Sequence, residues 1–272
     1  MAGLLMIPSM FPPTVQMGLV SRLFHRDLSN KEHQTNLHLH YNVTYPGQVP
    51  DGSSSSELNQ SQTQFPSFFA DDPTRTIYPK DPEAHKPITV QNLLEKRLRW
   101  TTLGGQYDWT AKVYPEGPPP PFPEDVAELL RAAFPETEAQ AAILNVYSAG
   151  DTLSAHRDVS EECDVGLISV SFGCDGLFMI SHDDGAGCEI IRLRSGDAVY
   201  MNGPSRFAWH GVPKIIPETC PNWLADWPSF DDDNTDSSQY SMWKGWMSGK
   251  RINLNVRQMT NSTLNEAIVT GH

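Results

Sequence analysis

From Ala142 onwards the apolar residues recur at every second position, in runs too short and too often interrupted to be helices. The segments 143–148, 166–172, 176–181, 188–193, 197–201, 207–213 and 251–259 all carry the side-chain period of an extended strand. Turn-forming clusters separate most of them: Cys174-Asp175-Gly176, Asp183-Asp184-Gly185, Ser195-Gly196-Asp197 and Asn202-Gly203-Pro204. Many short strands at this spacing restrict the fold to a sandwich, a jelly roll or a barrel. A chain of 272 residues is accommodated by one large domain of that kind.

Residues 1–141 read differently, as an N-terminal extension, a linker and a region with helices. Segment 15–23 is compatible with a helix, and the alternation in 36–43 predicts a short strand. Residues 46–73, rich in Gly, Ser, Gln, Asn and Pro, predict a loop or disordered linker. Helical spacing returns at 88–99, followed by the aromatic residues Trp100, Tyr107, Trp109 and Tyr114 and a proline-rich connection over 115–123. Segment 124–134 predicts an amphipathic helix with acids in its first turn, where the helix dipole favours them. Within the 142–261 core, the strand period lapses over 217–250 into an acidic insert. Its Trp223, Trp227, Trp243 and Trp246 are expected to anchor a long loop by packing. Residues 262–272 read as a tail.

The formal net charge of −13 argues against a protein that coats nucleic acid nonspecifically. The charge is uneven, however. Residues 116–164 hold eleven acids and two bases, whereas 86–114 and 192–214 are each net +3 and 244–257 is net +4. A locally basic pocket on an acidic protein suits a small anionic ligand or a short single strand of nucleic acid. The scattered Cys163, Cys174, Cys188 and Cys220 suit reduced thiols in an intracellular protein, with nucleus, cytoplasm and mitochondrion left open. The N-terminus lacks a basic start and a small-residue cleavage site, so neither a signal peptide nor a membrane span is expected.

The stretch from Asn145 to Asp158 runs as a strand, turns at Ala149-Gly150-Asp151 and re-extends, placing His156 and Asp158 on one face. An imidazole beside a carboxylate leaves a metal ion short of ligands. A second histidine would complete the two-histidine, one-carboxylate set that holds Fe(II) with open positions for oxygen chemistry. His38 and His40 lie on a polar extension and are expected to be solvated or hydrogen-bonded, and His182 sits in a turn. His210 returns into the sheet after a strand and a tight turn, and is the preferred third ligand. Trp209 beside it is expected to be structural.

Alternation in 251–257 puts Arg251, Asn253, Asn255 and Arg257 on one face, and Ile252, Leu254 and Val256 on the other. Two arginines on an inner wall are costly without anions, and a dicarboxylate supplies a pair suited to arginine's planar fork. The alternative is an edge strand with solvated arginines, which the two intervening asparagines disfavour. Asn145 and Tyr147 also share a face, either to donate to the same ligand or as ordinary strand polarity.

Taken together, Asn145-x-Tyr147, His156-Arg157-Asp158, a distant His210 and Arg251-x-Asn253-x-Asn255-x-Arg257 resemble the AlkB family of Fe(II)- and 2-oxoglutarate-dependent dioxygenases, in its homologue 1 type with a fungal-like character. Segments 98–109, 167–173 and 195–197 resemble that branch specifically, and the likeness extends from Leu4 to Met259. Asn255 departs from the family's usual threonine while keeping a polar group. The resemblance implies a mainly β protein with flanking helices, built as a double-stranded β-helix (jelly roll) core under an N-terminal nucleotide-recognition lid. It implies that His156, Asp158 and His210 hold iron, that Arg251 pairs with the far carboxylate of 2-oxoglutarate, and that Asn145, Tyr147, Asn253, Asn255 and Arg257 organise the rest. With O2 as the oxidant, the implied reaction removes methyl groups from N6-methyladenine or 1-methyladenine in DNA or tRNA, yielding formaldehyde, succinate and CO2, or else oxidises a methylated pyrimidine there.

A base-modifying enzyme takes its base from a single strand or flips it out, then stacks it on aromatic groups. Trp100, Tyr107 and Trp109 could form that platform, or could pack the lid; Trp100 matches the family's position near the base. The partner is expected to be unpaired DNA or tRNA and the protein a monomer. A hydroxylase or demethylase of a histone-like protein is the alternative that the acidic surface would tolerate, and an inactive nucleic-acid-binding module is a third.

Overall fold

The computed structural model describes residues 2–47, 66–182, 186–229 and 236–261. The chain opens with β1 (Leu4–Ile7) and α1 (Pro13–Ser21), which continues through a π-helical turn over Arg22–Asp27. The short strands β2 (Thr76–Ile77) and β3 (Ile88–Thr89) lead to α2 (Val90–Asn92), a second π-helical turn (Leu93–Arg97) and β4 (Trp100–Gly104). After α3 (Glu124–Ala133) come β5 (Ala141–Ser148), β6 (Leu153–His156), β7 (Leu167–Gly173) and β8 (Gly176–Ser181). The chain then forms β9 (Cys188–Leu193), β10 (Ala198–Met201), β11 (His210–Ile215), α4 (Asn222–Ala225) and β12 (Lys250–Arg257).

Two antiparallel sheets form the jelly roll. The major sheet runs β1-β10-β7-β12-β5-β4 and the minor sheet β6-β11-β8-β9. Leu167, Phe178, Ile180, Leu193, Val199 and Met201 fill part of the space between them. The other face of the major sheet presents Leu144, Val146, Ile168, Val170, Ile252, Leu254 and Val256 to the helices, and this is the principal core. Each such side chain contributes about 1.5–3 kcal/mol by leaving water. α3 packs Val126, Ala127 and Leu130 inward, while Asp125 in its first turn meets Arg22 at 2.9 Å and Arg26 at 2.8 Å.

Three expectations need correcting. Segment 36–43 is no strand: a 3₁₀ turn spans Asn36–Leu39, because the Thr35 hydroxyl accepts from the Leu37 amide and the His38 ring accepts from the Thr35 amide. Local side-chain bonds there supply the backbone partners that a sheet would have offered. The His38 ring also meets Tyr45 Oη at 3.0 Å. The second correction concerns the supposed linker. Residues 48–65 lie outside the described residues, but Phe68 and Phe69 just beyond them are buried in the main core. The third is Trp209, expected to be structural, which is 54% exposed and carries the Arg157 guanidinium 5.8 Å from its ring centre.

Four strands were not anticipated, the short pair β2 and β3 together with β1 and β4. β1 and β4, from segments read as extension and aromatic stretch, form the two edges of the major sheet, so its hydrogen bonding continues across residue 141. The tryptophans of the insert anchor it as expected. Trp227, Trp243 and Trp246 are buried against Phe24 and Phe69, and their indole N–H groups donate to Ser21 Oγ, the Phe69 carbonyl and the Leu94 carbonyl. All four cysteines are free thiols. Among the described residues no helix is long and apolar enough to cross a membrane.

Candidate active site

The turn after β5 is built by its own side chains. The Ser148 amide donates to Asp151 Oδ2 at 2.7 Å, and Gly150 sits at φ +92°, in the left-handed region that favours glycine. The chain therefore reverses into β6, whose last residue, His156, pairs directly with His210 at the start of β11. The two rings lie 4.4 Å apart between centres. Asp158, two residues further on, places Oδ1 3.8 Å from His156 Nε2 and Oδ2 3.8 Å from His210 Nε2. The potential ligand atoms of these three residues all lie within 4.8 Å of one another.

Each imidazole is oriented by its other nitrogen. His156 Nδ1 meets the Ser154 carbonyl and His210 Nδ1 the Ala208 carbonyl, both at 3.0 Å. A carbonyl can only accept, so Nδ1 carries the proton and the Nε2 lone pair faces the cluster. Burial holds His210 below its ordinary value against the pull of Asp158. Burial pushes the Asp158 carboxyl up, but its positive surroundings, Arg257 foremost, outweigh it, and the group stays below the usual carboxylate range. Two imidazoles that present Nε2 and one carboxylate form a donor set that fits a divalent iron ion.

β12 lies between β7 and β5, so its arginines are not on an edge. Its register sets Arg251 opposite Tyr147 and Asn253 opposite Asn145. A cavity of about 460 Å³ is lined by the two histidines, Asp158, Asn145, Tyr147, Arg251, Asn253, Asn255 and Arg257, with Tyr107 and Trp109 at one side. Arg251 is 1% exposed and donates one bond to Ser171 Oγ at 3.1 Å. Its Nε and Nη1, and the Tyr147 hydroxyl, find no partner among the described residues. A buried guanidinium short of an anion is costly, so this end of the cavity fits a carboxylate. Gly176 makes room for it, since a Cβ there would collide with the Arg251 side chain.

The second arginine behaves differently from the first. Arg257 donates to Asp158 Oδ2 at 3.2 Å and to Glu161 Oε1 at 3.1 Å. Asn253 is held by Ser169 Oγ at 2.7 Å, and Asn255 points its amide towards Asp158 Oδ2 at 3.5 Å. Trp109, 39% exposed, packs on Trp100 with ring centres 4.9 Å apart and planes tilted by 34°, and Tyr107 bonds Ser160 Oγ at 3.1 Å. Trp100 thus stands behind Trp109 and does not line the cavity. A second groove of about 830 Å³ lies along the proline-rich segment 115–121 and meets the first at Ser160. It contains none of His156, Asp158 and His210.

Residues 43–257 match the family described as the 2OG-Fe(II) oxygenase superfamily. The chain is an AlkB-type 2OG-Fe(II) oxygenase. Its cofactors are accordingly Fe(II) and 2-oxoglutarate, with O2 as the oxidant. Among AlkB relatives it is similar to the N6-methyladenosine RNA demethylase ALKB1 of Pyricularia oryzae, 52% identical over 94% of this chain and 74% of that protein. It is 49% identical to the N6-methyladenosine RNA demethylase ALKBH of Cryphonectria parasitica, over 82% of this chain and 99% of that protein. The tRNA demethylase abh1 of Schizosaccharomyces pombe is 37% identical over 94% and 79%. The solved structure of OsALKBH1 shares the fold, with a TM-score of 0.55 at 17% identity over 94% of this chain and 96% of that one.

Sequence reasoning did not find Glu161, Arg206, Ser169, Ser171 or Gly176. Ser169 and Ser171 share the strand face of the site and stand opposite Asn255 and Asn253 in register, a two-residue signal present in the alternation of β7. Glu161 and Arg206 come from irregular segments, where no period points to them.

Proposed function

We propose that this AlkB-type oxygenase removes the methyl group of N6-methyladenine in single-stranded RNA. The observation that carries the chemistry is the single cavity joining the His156, Asp158 and His210 cluster to the buried, carboxylate-free guanidinium of Arg251. Support for the substrate comes from Tyr107 and Trp109 at that cavity, with Trp100 packed behind Trp109, and from the N6-methyladenosine RNA demethylases of the two fungi named above.

In this reading the two histidines and Asp158 hold iron, and Arg251, assisted by the Tyr147 hydroxyl and Asn145, takes the far carboxylate of 2-oxoglutarate. Iron and 2-oxoglutarate, when bound, supply activation of O2 for oxidation of a methyl C–H bond. Arg257 and Asn255 fix the orientation of Asp158, and Asn253, fixed by Ser169, faces the cavity beside them. Trp109 and Tyr107 receive an unstacked base, whose planar face any aromatic ring can accept. The oxidised methyl leaves nitrogen as formaldehyde, and 2-oxoglutarate and O2 are consumed to give succinate and CO2, so atoms and electrons balance.

The test is product mass spectrometry with Fe(II) and ascorbate across matched panels: N6-methyladenine and 1-methyladenine in single-stranded RNA, single-stranded DNA and tRNA, and a methylated basic peptide. Loss of the methyl group from N6-methyladenine RNA, with stoichiometric formaldehyde and succinate, is expected. Turnover coupled only to the peptide, or only to tRNA or DNA, would overturn this assignment.

A further inference from the structure

Residues 157–166 join β6 to β7 without regular structure, and Asp158 lies in this loop. A metal ligand on irregular backbone needs something else to fix it. The described contacts supply that at both ends of the loop. Arg206, 1% exposed, donates from Nη1 to the Asp158 carbonyl at 2.9 Å and from Nε to the Val165 carbonyl at 2.8 Å. Its remaining nitrogen, Nη2, reaches Glu161 Oε2 at 3.0 Å. The Glu161 side chain is fully buried, and its other oxygen takes Arg257 Nη1. From the far side, the Glu162 amide donates to the Met259 carbonyl at 2.7 Å and the Cys163 thiol to the Gln258 carbonyl at 3.2 Å.

We propose that Glu161 and Arg206 are positioning residues that preset Asp158 for the metal. This rests on the reading of His156, Asp158 and His210 as the iron site. Arg206 fixes the main chain of Asp158, and Glu161 governs its side chain through Arg257. With Nη1 engaged by Glu161, Arg257 offers Asp158 one donor at 3.2 Å instead of a two-pronged fork. One carboxylate oxygen therefore remains uncommitted to arginine and available to the metal. Two carboxylates and two guanidiniums also make the buried cluster neutral before a cation arrives. Without Glu161, two buried guanidiniums would compete for Asp158 alone, and they would compete with the metal.

The experiment titrates metal-free protein with Mn(II) as a redox-stable stand-in for Fe(II), counting free ion by electron paramagnetic resonance. Glu161→Gln is expected to weaken Mn(II) binding by about 10–100-fold, the range for partners that orient metal ligands, with circular dichroism unchanged. Because Glu161→Gln leaves excess buried positive charge, the double variant Glu161→Gln, Arg206→Met is measured beside it. That variant keeps the cluster's charge balance and removes only the positioning, so it should fold and still bind Mn(II) weakly. Glu161→Asp, which retains the charge, should recover part of the affinity. Folded variants with wild-type Mn(II) affinity would overturn the proposal, as would a failure of all three to fold, which would make the cluster a core element. A wild-type protein that binds no Mn(II) would instead remove the iron-site reading on which it rests.

Discussion

Asp158 is in contact with Arg257 through its carboxylate and with Arg206 through its carbonyl, and it faces both His156 and His210 at 3.8 Å. Replacing it with alanine removes the proposed metal ligand, while Arg257 keeps Glu161 as its partner. Asp158→Ala is therefore expected to cut succinate formation by more than ~100-fold, beyond the cost of losing an outer hydrogen bond, with the circular dichroism spectrum retained. Arg251 allows a more selective change. Arg251→Lys keeps the charge and loses the fork, so KM for 2-oxoglutarate should rise by roughly 10-fold, about the 1.4 kcal/mol equivalent of a tenfold change in binding, with Mn(II) affinity unchanged. Of these residues, the histidines, Asp158 and both arginines were legible because each lies on or beside a strand whose alternation fixes its face. Glu161 and Arg206 were not legible, because only the folded loop brings them together.

At the scale of elements, β12 and the β6–β11 pair decide the geometry, and both follow from patterns the chain displays. The strict alternation of 251–257 buries Ile252, Leu254 and Val256 in the main core and turns the polar residues to the cavity. Leu254→Ala should lower the urea-unfolding free energy by about 2–5 kcal/mol, the cost of a cavity under a central strand. Gly176→Ala makes the complementary test at the start of β8. The added methyl collides with Arg251, so 2-oxoglutarate affinity should fall at least several-fold in a competition assay while metal binding stays intact. The elements that sequence reasoning missed failed for local reasons. β1 is too short to stand out alone, β4 (Trp-Thr-Thr-Leu-Gly) lacks the apolar–polar alternation, and both exist because a neighbouring strand supplies their partners. The supposed strand at 36–43 lost to a capping arrangement between Thr35 and His38.

Across the whole molecule, the N-terminal half and the tryptophan insert share one core, and that core encloses histidines. Burial lowers His25 to about 4, and also lowers His33 and His38. The unfolded chain thus binds more protons than the folded one between about pH 4 and 6.5, so stability rises with pH through that window and is lost on acidification. Thermal midpoints of metal-free protein should fall from pH 6.5 towards 4, and His25→Gln should flatten that slope; an unchanged slope would place the proton uptake elsewhere. The jelly roll carries a further consequence. His156 and His210 belong to one sheet and Arg251 to the other. In the proposed reading, the iron and the far carboxylate of the keto acid are therefore held by opposite walls of the barrel, and the spacing between those walls sets how the two meet. Loading the pair would then staple the walls together, so that a fully charged enzyme is stiffer across its waist than either partial complex.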